Sequence, residues 1–229
     1  MKQWFPLTDY DFYAYITAGV ILITAIDYAF GASVLVGRTE WTFAQGVFWA
    51  MMSYLVGHIA AGLSSVVMES LLLRRVLTNP VVVILGLEPM RWFDKPISYM
   101  FAKEFGPFPS VIASAIVAKL RTKIGVQPDE AVDPEALFHT AFAVARYDKD
   151  CEVRLNQFMN VYGLCRNVAF VALVSAILFW VRAFQTTQQH YVVLAWGAFF
   201  LALGMFGRFV KFYSAYTREV FRAFERVAQ

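Results

Sequence analysis

The chain has 229 residues, of which 59% are hydrophobic and only 16% are charged. A soluble domain usually has about 45–50% apolar and about 25% charged residues, so this composition excludes an ordinary water-soluble globular protein. The net charge is only +3. Basic residues alone give no argument for nucleic-acid binding, because membrane topology already explains where they lie.

Four continuous apolar segments are long enough to cross a bilayer as helices. They cover residues 12–36, 43–73, 168–181 and 191–210, and the helix of the third is expected to begin earlier, near Asn156. A hydrocarbon core of about 30 Å needs about 20 helical residues, and lipid offers no partner to an unpaired backbone group. The sequence therefore predicts an all-α polytopic membrane protein with four transmembrane helices. The first segment is interpreted as a retained span, not a cleaved signal peptide.

Lysine and arginine are distributed unevenly among the connections between these segments. Of the 20 basic residues, only Arg38 lies between the first two spans and only Arg182 between the last two. The other 18 lie on the opposite side or near its boundary. The positive-inside rule places the richer side in the cytoplasm. We therefore predict a multi-pass membrane protein with both termini and the middle segment cytoplasmic.

The pattern divides the chain into four parts. Residues 1–73 hold the first two spans, 74–160 form a cytoplasmic or interfacial helical segment, and 161–213 hold the last two spans. Residues 214–229 form an amphipathic cytoplasmic tail, interpreted as a helix lying on anionic lipid. Prolines break the first part of the middle segment into short pieces that are expected to lie near the membrane surface. The second part is helical, with Asp133 as a predicted helix cap.

Polar and small residues recur along one face of the second span. At spacings of four, three and four, which place them on one helical stripe, lie His58, Gly62, Ser65 and Glu69. Ionisable residues at membrane depth are costly and usually face a bundle interior or a watery cavity. Three interpretations remain open: interhelical hydrogen bonding, an ion or proton pathway, and a catalytic or metal site. One His and one Glu are too few ligands for a closed metal site.

Asp27 is an ionisable residue inside the first span. A carboxylate there must be paired, solvated or protonated, and His58 is one candidate partner. Two roles remain open for Asp27: one in conduction or gating, and one as a structural hydrogen bond in the outer third of the span. Glu69 lies close enough to the cytoplasmic interface to pair with Arg74 or Arg75. The predicted pore or intramembrane polar stripe has four members: Asp27, His58, Ser65 and Glu69.

A second group of polar residues marks the entry to the third span and the end of the fourth. The predicted contacts with lipid, another subunit or a partner are Arg154, Tyr162, Arg166, Asn167 and Arg208. An interface-crossing helix with basic anchors explains this pattern, and a subunit contact or a regulatory site is the alternative. Arg166 is also placed to line a pore mouth or to meet a lipid phosphate.

The signatures of common catalytic motifs are missing from the sequence. It has no glycine-rich nucleotide loop, no HExxH helix, no nucleophile elbow and no EF-hand loop. Cys151 and Cys165 lack the CxxC spacing of a redox pair or a zinc site. We therefore predict no catalytic residue, no metal and no cofactor.

Two segments carry a resemblance to known proteins. GHIAAGLSSVVMESLLLRRVL in the second span and NQFMNVYGLCRNVAF at the third resemble a group of small bacterial membrane proteins. Proteins of similar size and span count accompany anti-phage systems, including the membrane subunit of the Kiwa system and membrane accessories of CRISPR loci. The resemblance implies a protein of the bacterial inner membrane and an oligomer that senses or perturbs that membrane, and it transfers no catalytic residue.

The leading functional hypothesis is a homo-oligomeric protein that forms or gates a pathway through the bilayer, as in a defence effector. The second is a non-conducting scaffold or sensor that recruits a cytoplasmic protein partner. Its evidence is the middle segment and its acidic patch, made of Asp129, Glu130, Asp133 and Glu135. The third is an intramembrane enzyme acting on lipid, with His58 and Glu69 as acid and base.

Overall fold

The described part of the protein is built from helices alone. The computed structural model describes residues 11–31, 34–127, 130–147 and 149–227, and over these residues it contains no β-strand. This confirms the all-α prediction. The extreme amino terminus, predicted to be cytoplasmic, and Asp129 of the acidic patch lie outside the described residues.

The chain divides into two compact units. Unit 1 comprises Met1–Ser70 and Gly163–Phe209, and unit 2 comprises Leu71–Tyr162 and Val210–Gln229. The carboxyl-terminal tail therefore belongs to the same unit as the middle segment, although the sequence pattern had suggested a separate part.

Unit 1 begins with a helical hairpin. A π-helical turn (Asp11–Ile16) leads into α1 (Thr17–Phe30), and α2 (Phe43–Ser64) continues as a π-helical stretch (Ser65–Val76). The short helices of unit 2 are α3 (Pro80–Leu85), α4 (Asp94–Met100), α5 (Ala102–Phe105), α6 (Ser110–Ile124) and α7 (Pro134–Ala145). The two long helices, α8 (Lys149–Thr186) and α9 (Gln189–Val227), carry residues of both units.

Among the described residues, three helical segments are long and apolar enough to cross a membrane: Phe43–Leu85, Cys151–Thr186 and Gln189–Val227. A further apolar helix, Ala14–Phe30, is shorter. These helices are compatible with the predicted membrane protein, and the fourth crossing stays a prediction.

Two glycines set the packing of the hairpin in unit 1. A Cβ placed on Gly57 would overlap the backbone carbonyl of Tyr15, and one placed on Gly19 would overlap the carbonyl of Ser53. The two backbones therefore meet without side chains between them, as small residues permit in helices surrounded by lipid. Gly62, also noted in the sequence as a small residue, has no neighbouring atom within 4 Å of an added Cβ.

Local signals set the helix ends. Thr42 begins α2 with a capping box, in which its hydroxyl accepts the Gln45 amide and the Gln45 side chain accepts the Thr42 amide. Asp133 caps α7 through the Glu135 amide, with Pro134 at the first helical position, as predicted.

Unit 2 has its own hydrophobic core, which corrects one expectation from the sequence. All six residues of α3 are buried, so this proline-led piece packs against protein, and its position near the membrane surface stays a prediction. In the tail, Val220 and Phe221 are fully buried and Phe224 nearly so, packed with residues of α6 and α7. The amphipathic pattern was read correctly, but its apolar face is covered by protein where lipid had been expected. Either environment removes the same apolar area from water, so the pattern alone does not distinguish them.

The glycine contact in the hairpin yields a first prediction. Gly57→Ala forces the two backbones apart and should lower the free energy of unfolding by about 1–3 kcal/mol, as overpacking usually does. Unfolding in detergent, followed by the loss of helical circular dichroism, measures it. Gly62→Ala is the matched control, and it should leave stability unchanged or raise it by up to about 1 kcal/mol through helix propensity. Equal effects at both positions would contradict the close approach.

Candidate functional site

A cluster of polar side chains lies inside unit 1, where α2 passes into its π-helical continuation and faces α8. The members are Ser64, Glu69, Arg166 and Asn167. Ser64 and Asn167 are completely buried. Two of these residues, Glu69 and Arg166, carry opposite charges, so the cluster combines an ion pair with a neutral hydrogen-bonded pair.

The ion pair joins Glu69 and Arg166, with 2.5 Å between the carboxylate Oε1 and the guanidinium Nη1. The two side chains are 26% and 12% exposed, so the pair is largely withdrawn from solvent. Arg166 also donates Nε and Nη2 hydrogens to the Asn167 Oδ1, each at 3.3 Å. A largely desolvated charge of either sign is costly unless it is paired, and here each one offsets the other.

The neutral pair extends the cluster to the first helix. The Ser64 hydroxyl lies 2.6 Å from the Asn167 Oδ1 and 2.8 Å from the Ala61 carbonyl oxygen. The Asn167 amide nitrogen donates to the Ala14 carbonyl at 3.2 Å. Asn167 therefore links three helical segments by side-chain hydrogen bonds, which is the usual way a polar group is accommodated among apolar helices.

The π-helical stretch explains why the predicted stripe divides. A π-helix closes its hydrogen bonds from i to i+5, so it advances by a smaller angle per residue than an α-helix. The spacing of four, three and four assumed a regular α-helix, but that geometry ends at Ser64. Glu69 turns inward towards Arg166, Ser65 is half-buried, and Gly62 is exposed.

His58 lies apart from the polar cluster. Its side chain is exposed on the surface of unit 1, where the ring stands edge-on to Tyr15 at 4.8 Å and stacks on Tyr54 at 6.2 Å. The structure therefore does not bring it together with Glu69 as an acid–base pair. Nor is it the hydrogen-bond partner of Asp27, as the sequence had suggested.

Asp27 instead binds the chain that follows its own helix. Its carboxylate accepts the backbone amides of Val34 at 3.0 Å, Leu35 at 2.9 Å and Val36 at 3.2 Å. Asp27 lies one turn before the end of α1, which closes at Gly31 in the left-handed conformation. Hydrogen bonds to an ionised acceptor are stronger than neutral ones, so this carboxylate holds the returning chain against α1.

Two apolar cavities flank α1, with volumes of about 400 and 570 Å³. Val20, Thr24 and Val36 line both of them, so the segment that Asp27 holds forms part of each wall. The other lining residues are mostly aliphatic and aromatic. Neither cavity has the polar lining that an aqueous ion path needs.

The predicted contact residues at the third and fourth spans separate into two groups. In unit 2, Arg154 pairs with Glu219 at 3.4 Å, and the Tyr162 ring contacts the rings of Tyr213 and Tyr216. The unit 1 members are Arg166 and Asn167 in the cluster, and Arg208 beside the Cys165 thiol. Among the described residues, no three His, Cys, Asp or Glu side chains converge as a metal ion would require.

Comparison with known proteins adds no relative. Protein families, curated protein sequences and solved structures yield no match to this chain. The resemblance to small bacterial membrane proteins and the link to anti-phage defence therefore stay predictions.

The ion pair yields a second prediction, tested by a double-mutant cycle of Glu69→Ala and Arg166→Ala. Each single change leaves the other charge uncompensated, so the double variant should be less destabilised than the sum of the two. We expect a coupling energy of about 1–3 kcal/mol from unfolding in detergent. The exposed pair Arg74–Glu135, at 2.8 Å, is the matched control, and its coupling should stay below about 1 kcal/mol. Coupling no larger than in this control would show that the cluster is solvated.

Proposed function

We propose that the chain is a four-span inner-membrane protein that acts as a non-conducting scaffold or sensor. The spans hold the protein in the bilayer, and helical unit 2 engages a partner in the cytoplasm. The four apolar segments and the uneven distribution of basic residues support this topology. Three of the helical segments are long enough to cross by themselves. The shorter helix Ala14–Phe30 supplies the fourth crossing, extended at its start by residues 11–13 of the π-helical turn.

The proposal rests on the bonding of two carboxylates in unit 1, those of Asp27 and Glu69. A conducting path needs polar groups that face water. Here the Asp27 carboxylate is taken by three backbone amides, and the Glu69 carboxylate by Arg166. His58 lies outside the cluster, and the cavities beside α1 are apolar. The polar residues that suggested a pore from the sequence thus hold one copy of the protein together, which favours the scaffold hypothesis over the pore hypothesis.

Unit 2 offers a surface for the partner. An apolar groove of about 430 Å³ lies between the end of α3 and the start of α6, lined by Leu87, Pro107 and Val117 among others. Leu87 and Ser114 of this lining are exposed. The acidic patch is a weaker candidate, because Asp133 caps α7 and Glu135 pairs with Arg74. We therefore place the partner contact at the groove.

A pathway shared among several copies is the competing proposal, and one observation favours it. Gly197 and Gly204 on α9 have no atom within 4 Å of an added Cβ. Glycines on an open helix face allow a second helix to approach closely. A pore formed this way would need several copies, since the polar residues of one copy are internally bonded.

Ion flux gives the third prediction and separates the two proposals. Liposomes that contain the full-length protein and an entrapped ion-sensitive dye should admit the ion no faster than protein-free vesicles do. Asp27→Asn and Glu69→Gln should not change this result, because neither carboxylate lines an aqueous path. Discrete conductance steps in planar bilayers that Gly197→Leu and Gly204→Leu abolish would contradict the scaffold and support a multi-copy pathway.

Crosslinking gives the fourth prediction. A photoreactive residue at Ser114, an exposed residue of the groove lining, should yield one discrete adduct with a cytoplasmic protein in cells that naturally produce the protein. Tyr147 is the matched control, since it is 86% exposed in unit 2 and outside the groove lining. Leu87→Glu should remove the adduct, because a charge in the groove opposes burial of an apolar partner. Adducts that contain only a second copy of the chain would contradict the partner contact.

A further inference from the structure

A short stretch of unit 2 around α4 exposes an unusual number of large apolar side chains. They are Met90, Trp92, Phe93, Tyr99 and Met100, here named the interfacial patch. Tyr99 is 91% exposed and Trp92 is 69% exposed. Exposed apolar side chains clustered in this way mark an interaction surface more often than an ordinary solvated one.

The charges around the interfacial patch are mainly positive. Between positions 88 and 103, the exposed basic residues are Arg91, Lys95 and Lys103. The exposed acidic residue in the same stretch is Glu88. Asp94, within the same stretch, is completely buried. Its carboxylate is used internally, because it accepts the backbone amides of Thr78 and Arg91. The surface therefore combines aromatic rings with a net positive charge.

Two hydrogen bonds fix the interfacial patch close to the point where the chain leaves the second span. The Arg91 guanidinium donates to the Arg75 carbonyl at 2.8 Å, and the Asp94 carboxylate accepts the Thr78 amide at 3.0 Å. The apolar run of the span ends at residue 73, directly before Arg74 and Arg75. Residues bonded to positions 75 and 78 lie within a few residues of the edge of the hydrocarbon core, a step that rests on the proposed membrane topology.

We infer that the interfacial patch is a membrane-surface anchor that binds anionic lipid headgroups of the cytoplasmic leaflet. Trp92 and Tyr99 suit the headgroup level, where an amphipathic ring finds both apolar and polar surroundings. Arg91, Lys95 and Lys103 attract the negative surface of that leaflet. A second copy of the chain is a poorer occupant, because two such patches would bring positive charges together.

A spin label on the reconstituted full-length protein tests the anchor. Tyr99→Cys carries the nitroxide, and parent protein treated with the same spin-label reagent controls for the two buried native cysteines. Collision with a water-soluble nickel chelate is measured in bilayers of phosphatidylcholine alone and with phosphatidylglycerol added. Tyr147→Cys, 86% exposed in unit 2, serves as the water-exposed reference, and Ile59→Cys, 66% exposed on α2, serves as the membrane-embedded reference.

With phosphatidylglycerol present, nickel collisions at position 99 should fall at least about threefold below those at position 147. Lys95→Glu together with Lys103→Glu should restore most of this accessibility, as should omission of the anionic lipid. Equal accessibility at 99 and 147 in anionic bilayers would overturn the anchor. Protection that depends on protein density instead of lipid charge would overturn it too, in favour of a subunit contact. Nickel collisions at position 59 as frequent as those at position 147 would overturn the membrane topology, and with it the anchor.

Discussion

The pairing of Glu69 with Arg166 is the constraint on which the interior of unit 1 depends. Neither charge is stable alone among apolar helices, and 97 residues separate them along the chain. Their contact fixes the π-helical continuation of α2 against α8, and with it the position of Asn167. Asn167 in turn bonds Ser64 and the Ala14 carbonyl. One ion pair thus defines how three helical segments meet, at a place where apolar packing alone would leave their register free.

The glycine contact between α1 and α2 works together with this cluster. Dispersion between closely approaching backbones holds the hairpin along its length, and the polar cluster holds its end. Asp27 supplies the third restraint, since it ties residues 34–36 back onto α1. Of the ionisable residues that the sequence placed in the first two spans, Asp27 and Glu69 are therefore used to close the structure, and His58 rests against tyrosine rings on the surface.

How far the sequence predicts these features depends on how local each one is. Asp133 was recognised as a cap because the cap residue, the proline and the first helical amide are neighbours in the chain. The partner of Glu69 was sought at Arg74 or Arg75, since sequence proximity was the only guide, but Arg166 takes that role. A stripe drawn at α-helical periodicity fails where a π-helix begins, and no residue around Ser65 signals that change. Phe221 illustrates a further difficulty, because an apolar face packed on protein and one packed on lipid have the same pattern.

These contacts bear on function because they show which surfaces of the protein remain for binding. In unit 1 the Asp27 and Glu69 carboxylates are bonded within the protein, and the cavities flanking α1 are apolar. Unit 2 presents an apolar groove at Leu87 and Ser114 and a cationic aromatic patch around Tyr99. The partner contact that we propose and the lipid contact that we infer would then both belong to unit 2. Together they would serve a membrane sensor without requiring an ion path.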